Sequence, residues 1–203
     1  MRLFNYPNLP LRRKQTTEEI EELRGIWLIN WQIGKIRLYS TYYTCVDQAC
    51  IIWSLLVLPM FIVAQFFAVS WVLQAILWSI ISSIGVISMI FFAYNWAAAK
   101  QITWLLYCWS CLIITGLILT DLSIFLGWGQ LLINLCPLWL LLSAIGYLCT
   151  GFAVRSRAFL WTAIAHVLVI FILPYISAWQ FIFTGLFTAS CLLILAEFQW
   201  DIL

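Results

Sequence analysis

Charged residues are scarce in this chain, and the places where they are missing decide its class. Only 9% of the 203 residues are Asp, Glu, Lys or Arg, whereas soluble domains carry about 25%. The stretch from residue 49 to residue 196 contains four of them: Lys100, Asp121, Arg155 and Arg157. Because hydrophobic residues make up 65% of the chain, the composition excludes an ordinary soluble domain and indicates a protein of the lipid bilayer.

Familiar catalytic signatures are missing as well. The sequence contains no GxSxG, HExxH, Walker A or GxGxxG motif, which argues against the hydrolases, metalloproteases and nucleotide-binding enzymes that carry them. No apolar run holds paired carboxylates for Mg²⁺. The formal net charge of +2 is small, and the basic residues lie beside apolar runs, so we expect no nucleic-acid partner. We predict no catalytic and no metal-binding residue, and the sequence identifies no cofactor.

The apolar runs are long enough to cross a membrane repeatedly. A spanning helix needs roughly 20 mostly apolar residues, and the breaks between runs predict six spans, at 48–69, 71–94, 102–120, 130–149, 158–174 and 179–196. The gaps at Ser70 and at 174–177 are short, and the middle gap, 121–129, is predicted to be an irregular loop. The fold class is therefore all-α integral membrane, with six transmembrane helices arranged as three hairpins.

The basic residues predict the orientation. Lys and Arg accumulate in cytoplasmic loops, and in a six-span arrangement all ten of them fall on one side: Arg2, Arg12, Arg13, Lys14, Arg24, Lys35, Arg37, Lys100, Arg155 and Arg157. Both termini are thus predicted to be cytoplasmic. The same pattern fits a plasma or inner membrane and an internal membrane.

Residues 1–46 form a cytoplasmic arm ahead of a transmembrane domain at 47–203. Thr16 and Glu19 are spaced as a helix-capping box. Apolar residues then recur at three- and four-residue spacing at Ile20, Leu23, Trp27 and Trp31. We therefore expect an amphipathic helix on the cytoplasmic membrane surface.

Two groups of residues could carry chemistry or bind a ligand. Cys108 and Cys111 form a CxxC motif in the third span, which suits exchange with a disulfide or electron transfer to a quinone, or else inert packing. His166 is the only histidine and lies at mid-span, where an ionisable residue suggests ligand binding or proton transfer; a bond to a neighbouring helix is the structural alternative. The amides of Gln65, Gln74, Gln130 and Asn134 could converge in an outer vestibule, or each could bond to an adjacent helix.

Two further patterns concern helix packing. The tryptophans Trp53, Trp78, Trp109 and Trp139 lie deep within spans, where each indole N–H needs a backbone, side-chain or ligand partner. Small residues at Ala75, Ser79 and Ser83 predict a close helix contact along the second span.

These observations favour a non-catalytic membrane protein, expected to be a subunit or assembly factor of a larger membrane complex with partner subunits in the bilayer. One alternative is a small transporter or a membrane component that binds a small solute or a hydrophobic ligand. A weaker alternative is a thiol–quinone redox protein. No motif in the sequence separates the three.

Overall fold

Helices dominate the architecture, as the apolar runs predict. The computed structural model describes residues 9–14, 27–33 and 36–201. Five of its helical segments are long and apolar enough to cross a membrane, the fifth being the 41-residue stretch Arg157–Glu197. Each predicted span overlaps one long helix. The helices are α1 (Cys45–Phe66), α2 (Trp71–Ala99), α3 (Trp104–Phe125), α4 (Gly129–Ile133), α5 (Leu135–Val154), α6 (Arg157–Ile172) and α7 (Gln180–Glu197).

The stretch Arg157–Glu197 is a hairpin and not a single rod. A 3₁₀ segment, Leu173–Trp179, separates α6 from α7, and Ile176 within it has non-helical φ and ψ angles of −124° and 33°. Asp201 lies just beyond α7 and accepts hydrogen bonds from the backbone and side chain of Arg157, the first residue of α6. Because the two ends of the stretch meet, the chain reverses at the turn predicted for 174–177.

Five of the helices form a ring. α1 packs along α7 on one side and α2 on the other; α2 also contacts α3, α3 contacts α5, and α5 touches α7. α6 lies against α5, with only slight contact to α7. No backbone lies at the centre of a ring of helices, so only side chains can fill that space.

Two short strand pairs complete the described residues. β1 (Leu11–Arg13) pairs antiparallel with β4 (Phe198–Trp200), and the Asp201 amide donates to the Pro10 carbonyl at 3.0 Å. The beginning of the described chain is thereby fixed beside its end. We call this the terminal end of the bundle, and the opposite end, with Ser70 and the 3₁₀ segment, the turn end.

The prediction of an amphipathic helix is wrong where the structure tests it. Trp27 and Trp31 lie on β2 (Trp27–Ile33), which pairs antiparallel with β3 (Ile36–Tyr43). Their four-residue spacing suits a helix face, but Ile29 and Ile33 extend it to an alternation of period two, which favours a strand. Aromatic and β-branched residues also favour strands. The rest of the predicted helix, 15–26, lies outside the described residues.

The predicted loop at 121–129 is shorter than expected. α3 continues to Phe125, so Asp121 is a helical residue. Its Oδ2 accepts a hydrogen bond from the Ser79 hydroxyl of α2 at 3.1 Å. A carboxylate that finds a donor on a neighbouring helix does not need to lie in a loop, which explains why α3 extends past it.

Candidate functional site

The centre of the helix ring is incompletely filled and leaves a cavity of about 160 Å³. It extends from the middle of the ring towards the terminal end: α5 lines it from Trp139 to Val154, and α6 and β4 contribute Phe159 and Trp200. Aromatic side chains dominate the lining: Trp53, Trp96, Trp109, Trp139, Tyr147, Phe159 and Trp200. This aromatic cavity is the candidate functional site.

Three of the tryptophans are positioned by glycines on the neighbouring helix. Trp53 of α1 lies against Gly85 of α2, where an added β-carbon would come within 2.6 Å of the indole. Trp109 of α3 packs in the same way on Gly146 of α5. Trp139 of α5 packs on Gly116 of α3, where the corresponding distance to the indole is 2.9 Å. Large rings resting on bare backbone allow the helices to approach closely while the indoles extend into the centre of the ring.

Ring contacts continue around the cavity wall. The centroids of Trp109 and Tyr147 are 5.3 Å apart in an edge-to-face arrangement, and Tyr147 stacks with Phe159 at 6.5 Å. Phe159 in turn contacts Trp200 edge-to-face at 5.3 Å. These spacings lie within the 4.5–7 Å range of favourable aromatic pairs. The wall is therefore a connected aromatic surface that includes a residue from the C-terminal strand.

Few polar groups line the cavity, and none of them is charged. The Trp109 indole donates to the Thr150 hydroxyl at 3.0 Å, and that hydroxyl donates to the Gly146 carbonyl at 2.8 Å. Ser143, Tyr147 and Thr188 contribute the remaining hydroxyl groups of the lining, and Cys50 contributes a thiol. A buried charge without a partner is strongly unfavourable, so the cavity suits a neutral, mainly apolar molecule.

The terminal end of the cavity is covered by β4 and the residue after it. Asp201 binds the Arg157 guanidinium at 2.6 Å and accepts from the Ser156 hydroxyl at 3.0 Å. Burial alone would raise the pKa of Asp201, but hydrogen bonds from Arg157, Ser156 and the Ala158 amide outweigh it and hold the pKa below its usual value. The carboxylate thus fixes β4 to the start of α6, with Trp200 against the cavity.

A second ion pair, between Lys14 and Asp47, lies at the terminal end of the bundle. The Lys14 ammonium group donates to the Asp47 carboxylate at 2.6 Å, to the Tyr42 carbonyl at 3.0 Å and to the Ala196 carbonyl at 2.5 Å. Both side chains of the ion pair are nearly inaccessible, at 3% for Lys14 and 2% for Asp47. Asp47 also completes a capping box with Thr44 at the start of α1. One ammonium group therefore joins the N-terminal arm, α1 and the last turn of α7.

His166 is fully buried and does not line the cavity. Its Nδ1 lies 2.8 Å from the Thr162 carbonyl of its own helix, and its Nε2 has no hydrogen-bond partner among the described residues. The ring packs between Tyr147 and Phe187, with centroid distances of 4.9 Å to each. This placement gives His166 an aromatic packing role at the edge of the site.

The predicted outer amides are not brought together. Gln65 donates to the Ala178 carbonyl at 2.9 Å and so binds α1 to the turn after α6. Gln74 donates to the Val69 carbonyl at 3.4 Å. Asn134 is exposed and donates to the carbonyl of Gln130, which is also exposed. Gln65 bonds to a neighbouring element, which was the alternative to a shared vestibule, whereas Gln74 and Asn134 bond within five residues of their own positions, and none of the four residues lines the cavity.

The two cysteines of the CxxC motif have different surroundings. Cys111 is exposed on the outer surface of α3, and Cys108 is half-buried beside Cys149 of α5, within hydrogen-bond reach of its thiol. The i, i+3 spacing therefore does not direct both thiols to one partner. All seven cysteines are free thiols.

The tryptophans that lie deep within the predicted spans were the feature of the sequence that pointed to the cavity. Trp53, Trp109 and Trp139 line it, and Trp109 has a side-chain partner. The indole nitrogens of Trp78 and Trp139 are buried without a partner among the described residues. The predicted close contact along α2 is wrong at Ser83, which is exposed, because the buried face is rotated towards Ser82 and Gly85.

The chemistry of the lining residues indicates what the aromatic cavity can bind. No protein-family model matches the chain, and no curated protein and no solved structure is significantly similar to it.

Proposed function

We propose that this chain is a six-span membrane protein, with both termini cytoplasmic, that binds a small hydrophobic ligand inside its helix bundle. The aromatic cavity carries the proposal. It lies between the helices of the ring, its lining is mainly apolar and uncharged, and sites for small molecules are usually concave, apolar and few per protein.

The orientation is supported by the basic residues and by the hairpin of α6 and α7. The reversal at the 3₁₀ segment returns α7 to the terminal end, where Lys14, Arg155 and Arg157 lie. Lys100 follows α2, which begins at the turn end and so also finishes at the terminal end. Such a one-sided distribution is typical of the cytoplasmic face, and it supports an orientation in which the aromatic cavity extends towards the inner side of the bilayer.

Binding, without chemical conversion, fits the lining best. Apart from Cys50 and Tyr147, the lining contains none of the side chains that commonly act as general acids and bases. A membrane component that holds a hydrophobic ligand is therefore better supported than a redox protein. Membership of a larger complex remains a prediction from the sequence, and it is compatible with ligand binding.

Co-purification of the ligand tests the proposal. The full-length protein is purified from its native membranes in mild detergent, and the molecules that it retains are extracted and identified by mass spectrometry. Thr188→Phe places a large ring in the cavity, whereas Ser190→Phe adds the same ring on the exposed face of α7. We expect one compound in stoichiometric amount with the parent and with Ser190→Phe, and its loss from Thr188→Phe. Equal retention by both variants would show that the cavity does not bind it.

A further inference from the structure

The size of the aromatic cavity restricts what it can hold. An engineered protein cavity of about 150 Å³ lined by apolar side chains binds benzene, and this cavity is close to that size at about 160 Å³. A benzene-sized ring therefore fits within it, whereas an extended lipid acyl chain of ordinary length would leave most of its length outside.

The shape of the lining favours a flat guest over a flexible one. The indoles of Trp53, Trp109 and Trp139 cannot retract, because Gly85, Gly146 and Gly116 already bring them into contact with helix backbone. Rings held in this way present fixed faces and edges. Each favourable aromatic pair contributes about 0.5–1.5 kcal/mol beyond the area that it buries, and a flexible chain gains none of this while losing its rotational freedom on binding.

The charge of the guest follows from the same lining. No charged residue contributes to the cavity wall. Apart from the Trp109–Thr150 contact, its polar groups are the Cys50 thiol, the indole N–H groups, of which that of Trp139 has no partner among the described residues, and the hydroxyls of Ser143, Tyr147 and Thr188. A neutral ring, or a ring with one oxygen substituent facing those hydroxyls, meets the wall without leaving a buried charge.

We infer that the ligand of the aromatic cavity is a neutral molecule whose bound part is a single six-membered ring, aromatic or quinoid. The inference rests on the proposed function, and it specifies the ligand class that this function serves. A ring guest extends the series of contacts from Trp109 through Tyr147 and Phe159 to Trp200. The glycine-supported tryptophans hold the indole rings that the guest contacts in fixed positions.

Two fluorinated probes with equal numbers of carbon atoms test the ring requirement. 4-Fluorotoluene and 1-fluoroheptane are titrated into lipid nanodiscs that contain the full-length protein, and the ¹⁹F spectrum is recorded. Empty nanodiscs give the signal of each probe in lipid. We expect a saturable resonance for 4-fluorotoluene, displaced by the ring currents of the surrounding tryptophans. Its affinity should exceed that of 1-fluoroheptane by roughly tenfold, equivalent to one good aromatic contact.

Cavity-filling variants locate the bound probe. Ser143→Phe and Thr188→Phe should each abolish the displaced resonance, while the exposed controls Leu141→Phe and Ser190→Phe should retain it. Two independent cavity variants are used so that a folding failure in one, visible in its thermal transition, leaves the other as the test.

The outcomes separate the inference from the proposed function. Equal or tighter cavity-dependent binding of 1-fluoroheptane overturns the ring requirement and leaves a hydrophobic-ligand function intact. The same holds if an acyl lipid is the compound that co-purifies. If neither probe gives a signal that depends on Ser143 or Thr188, and no compound co-purifies, both the inference and the proposed function fail.

Discussion

The indole of Trp109 lies directly against the backbone of Gly146, with no room for a side chain between α3 and α5. A β-carbon on residue 146 would be 2.5 Å from the Cη2 atom of Trp109, whereas carbon atoms in favourable contact are about 3.5–4.0 Å apart. Trp109 also donates to Thr150 of α5, so a contact and a hydrogen bond from the same helix fix the ring. Gly146 therefore determines how far Trp109 reaches into the cavity.

We expect Gly146→Ala to lower the free energy of unfolding by about 1–3 kcal/mol, the usual cost of overpacking an interior. Alanine favours helix over glycine by up to about 1 kcal/mol, so a loss of stability shows that the contact outweighs the gain in propensity. Thermal unfolding in detergent measures the effect. Gly129→Ala is the control, because a β-carbon there meets nothing within 4 Å. An unchanged transition for Gly146→Ala would mean that Trp109 can move without cost.

The buried pair of Lys14 and Asp47 should be sensitive to the loss of either partner. Removing one member of a buried pair typically costs about 3–5 kcal/mol, because the other charge is left uncompensated, and Lys14→Met would also remove the donor to the Ala196 carbonyl. We expect a clearly lowered unfolding temperature for Lys14→Met and partial recovery when Asp47→Asn is added. Lys100→Met is the control at an exposed lysine. Equal effects of Lys14→Met and Lys100→Met would contradict a structural role for the pair.

Acid should selectively remove the stabilisation that Asp201 provides. Its pKa is lower in the folded protein than the usual value of about 3.9 for aspartate, because Arg157 and neighbouring donors favour the charged form. A depressed pKa stabilises the fold above the unfolded-state pKa, and this contribution is lost as the pH falls through the folded-state pKa. Asp201→Asn should therefore be less stable than the parent by roughly 1–2 kcal/mol at pH 7.

The difference between the parent and Asp201→Asn should shrink as the pH is lowered below about 4. Thermal unfolding of both proteins across this pH range provides the comparison. Asp121→Asn, on α3 near the turn end, serves as the carboxylate control. A difference for Asp201→Asn that is constant from pH 7 to the acid limit would show that the charge of Asp201 does not stabilise the fold.

The features that could be predicted are those that depend on residues close together in the sequence. Long apolar runs identified the helices, and the breaks at Ser70 and 174–177 identified two reversals of the chain. The four-residue spacing of Trp27 and Trp31 was compatible with both a helix and a strand, and the pairing of β2 with β3 decided for the strand. Local periodicity alone does not resolve such a short segment.

The cavity could not be predicted, because its parts are distant in the sequence. Trp53 and Gly85 belong to different helices, and nothing in either segment indicates that the other is its partner. The Lys14 side chain donates to the carbonyl of Ala196, 182 positions away. Such contacts follow from the order of the helices around the ring, which hydropathy does not encode. Only the depth of the tryptophans suggested an internal site.

The six-span orientation can be tested by labelling single cysteines in a protein that lacks the seven native ones. Lys100 is exposed after α2, and Tyr175 is 88% exposed in the turn between α6 and α7. We expect Lys100→Cys to react with a membrane-impermeant maleimide only from the cytoplasmic side, and Tyr175→Cys only from the opposite side. Labelling of both from one side would show that α3, α5 and α6 do not all cross the membrane.

The last prediction concerns His166, whose surroundings indicate that substitution by leucine costs little stability. If its partner lay on another helix, His166→Leu would leave that partner unpaired at a cost of about 1–3 kcal/mol. In the structure, Nδ1 lies within hydrogen-bond distance of the Thr162 carbonyl on the same helix, and that carbonyl also accepts a backbone hydrogen bond of the helix. Nε2 has no partner among the described residues. Leucine would therefore leave no orphaned acceptor and would remove a buried unpaired nitrogen.

We expect His166→Leu to unfold within about 1 kcal/mol of the parent, since only packing against Tyr147 and Phe187 changes. His166→Gln should be the less stable variant, because its amide brings a donor and an acceptor into a fully buried, aromatic site. Thermal unfolding in detergent and retention of the co-purifying compound provide the two readouts. If instead both variants fold normally and both lose the compound, His166 contacts the ligand, and the site extends beyond the cavity described above.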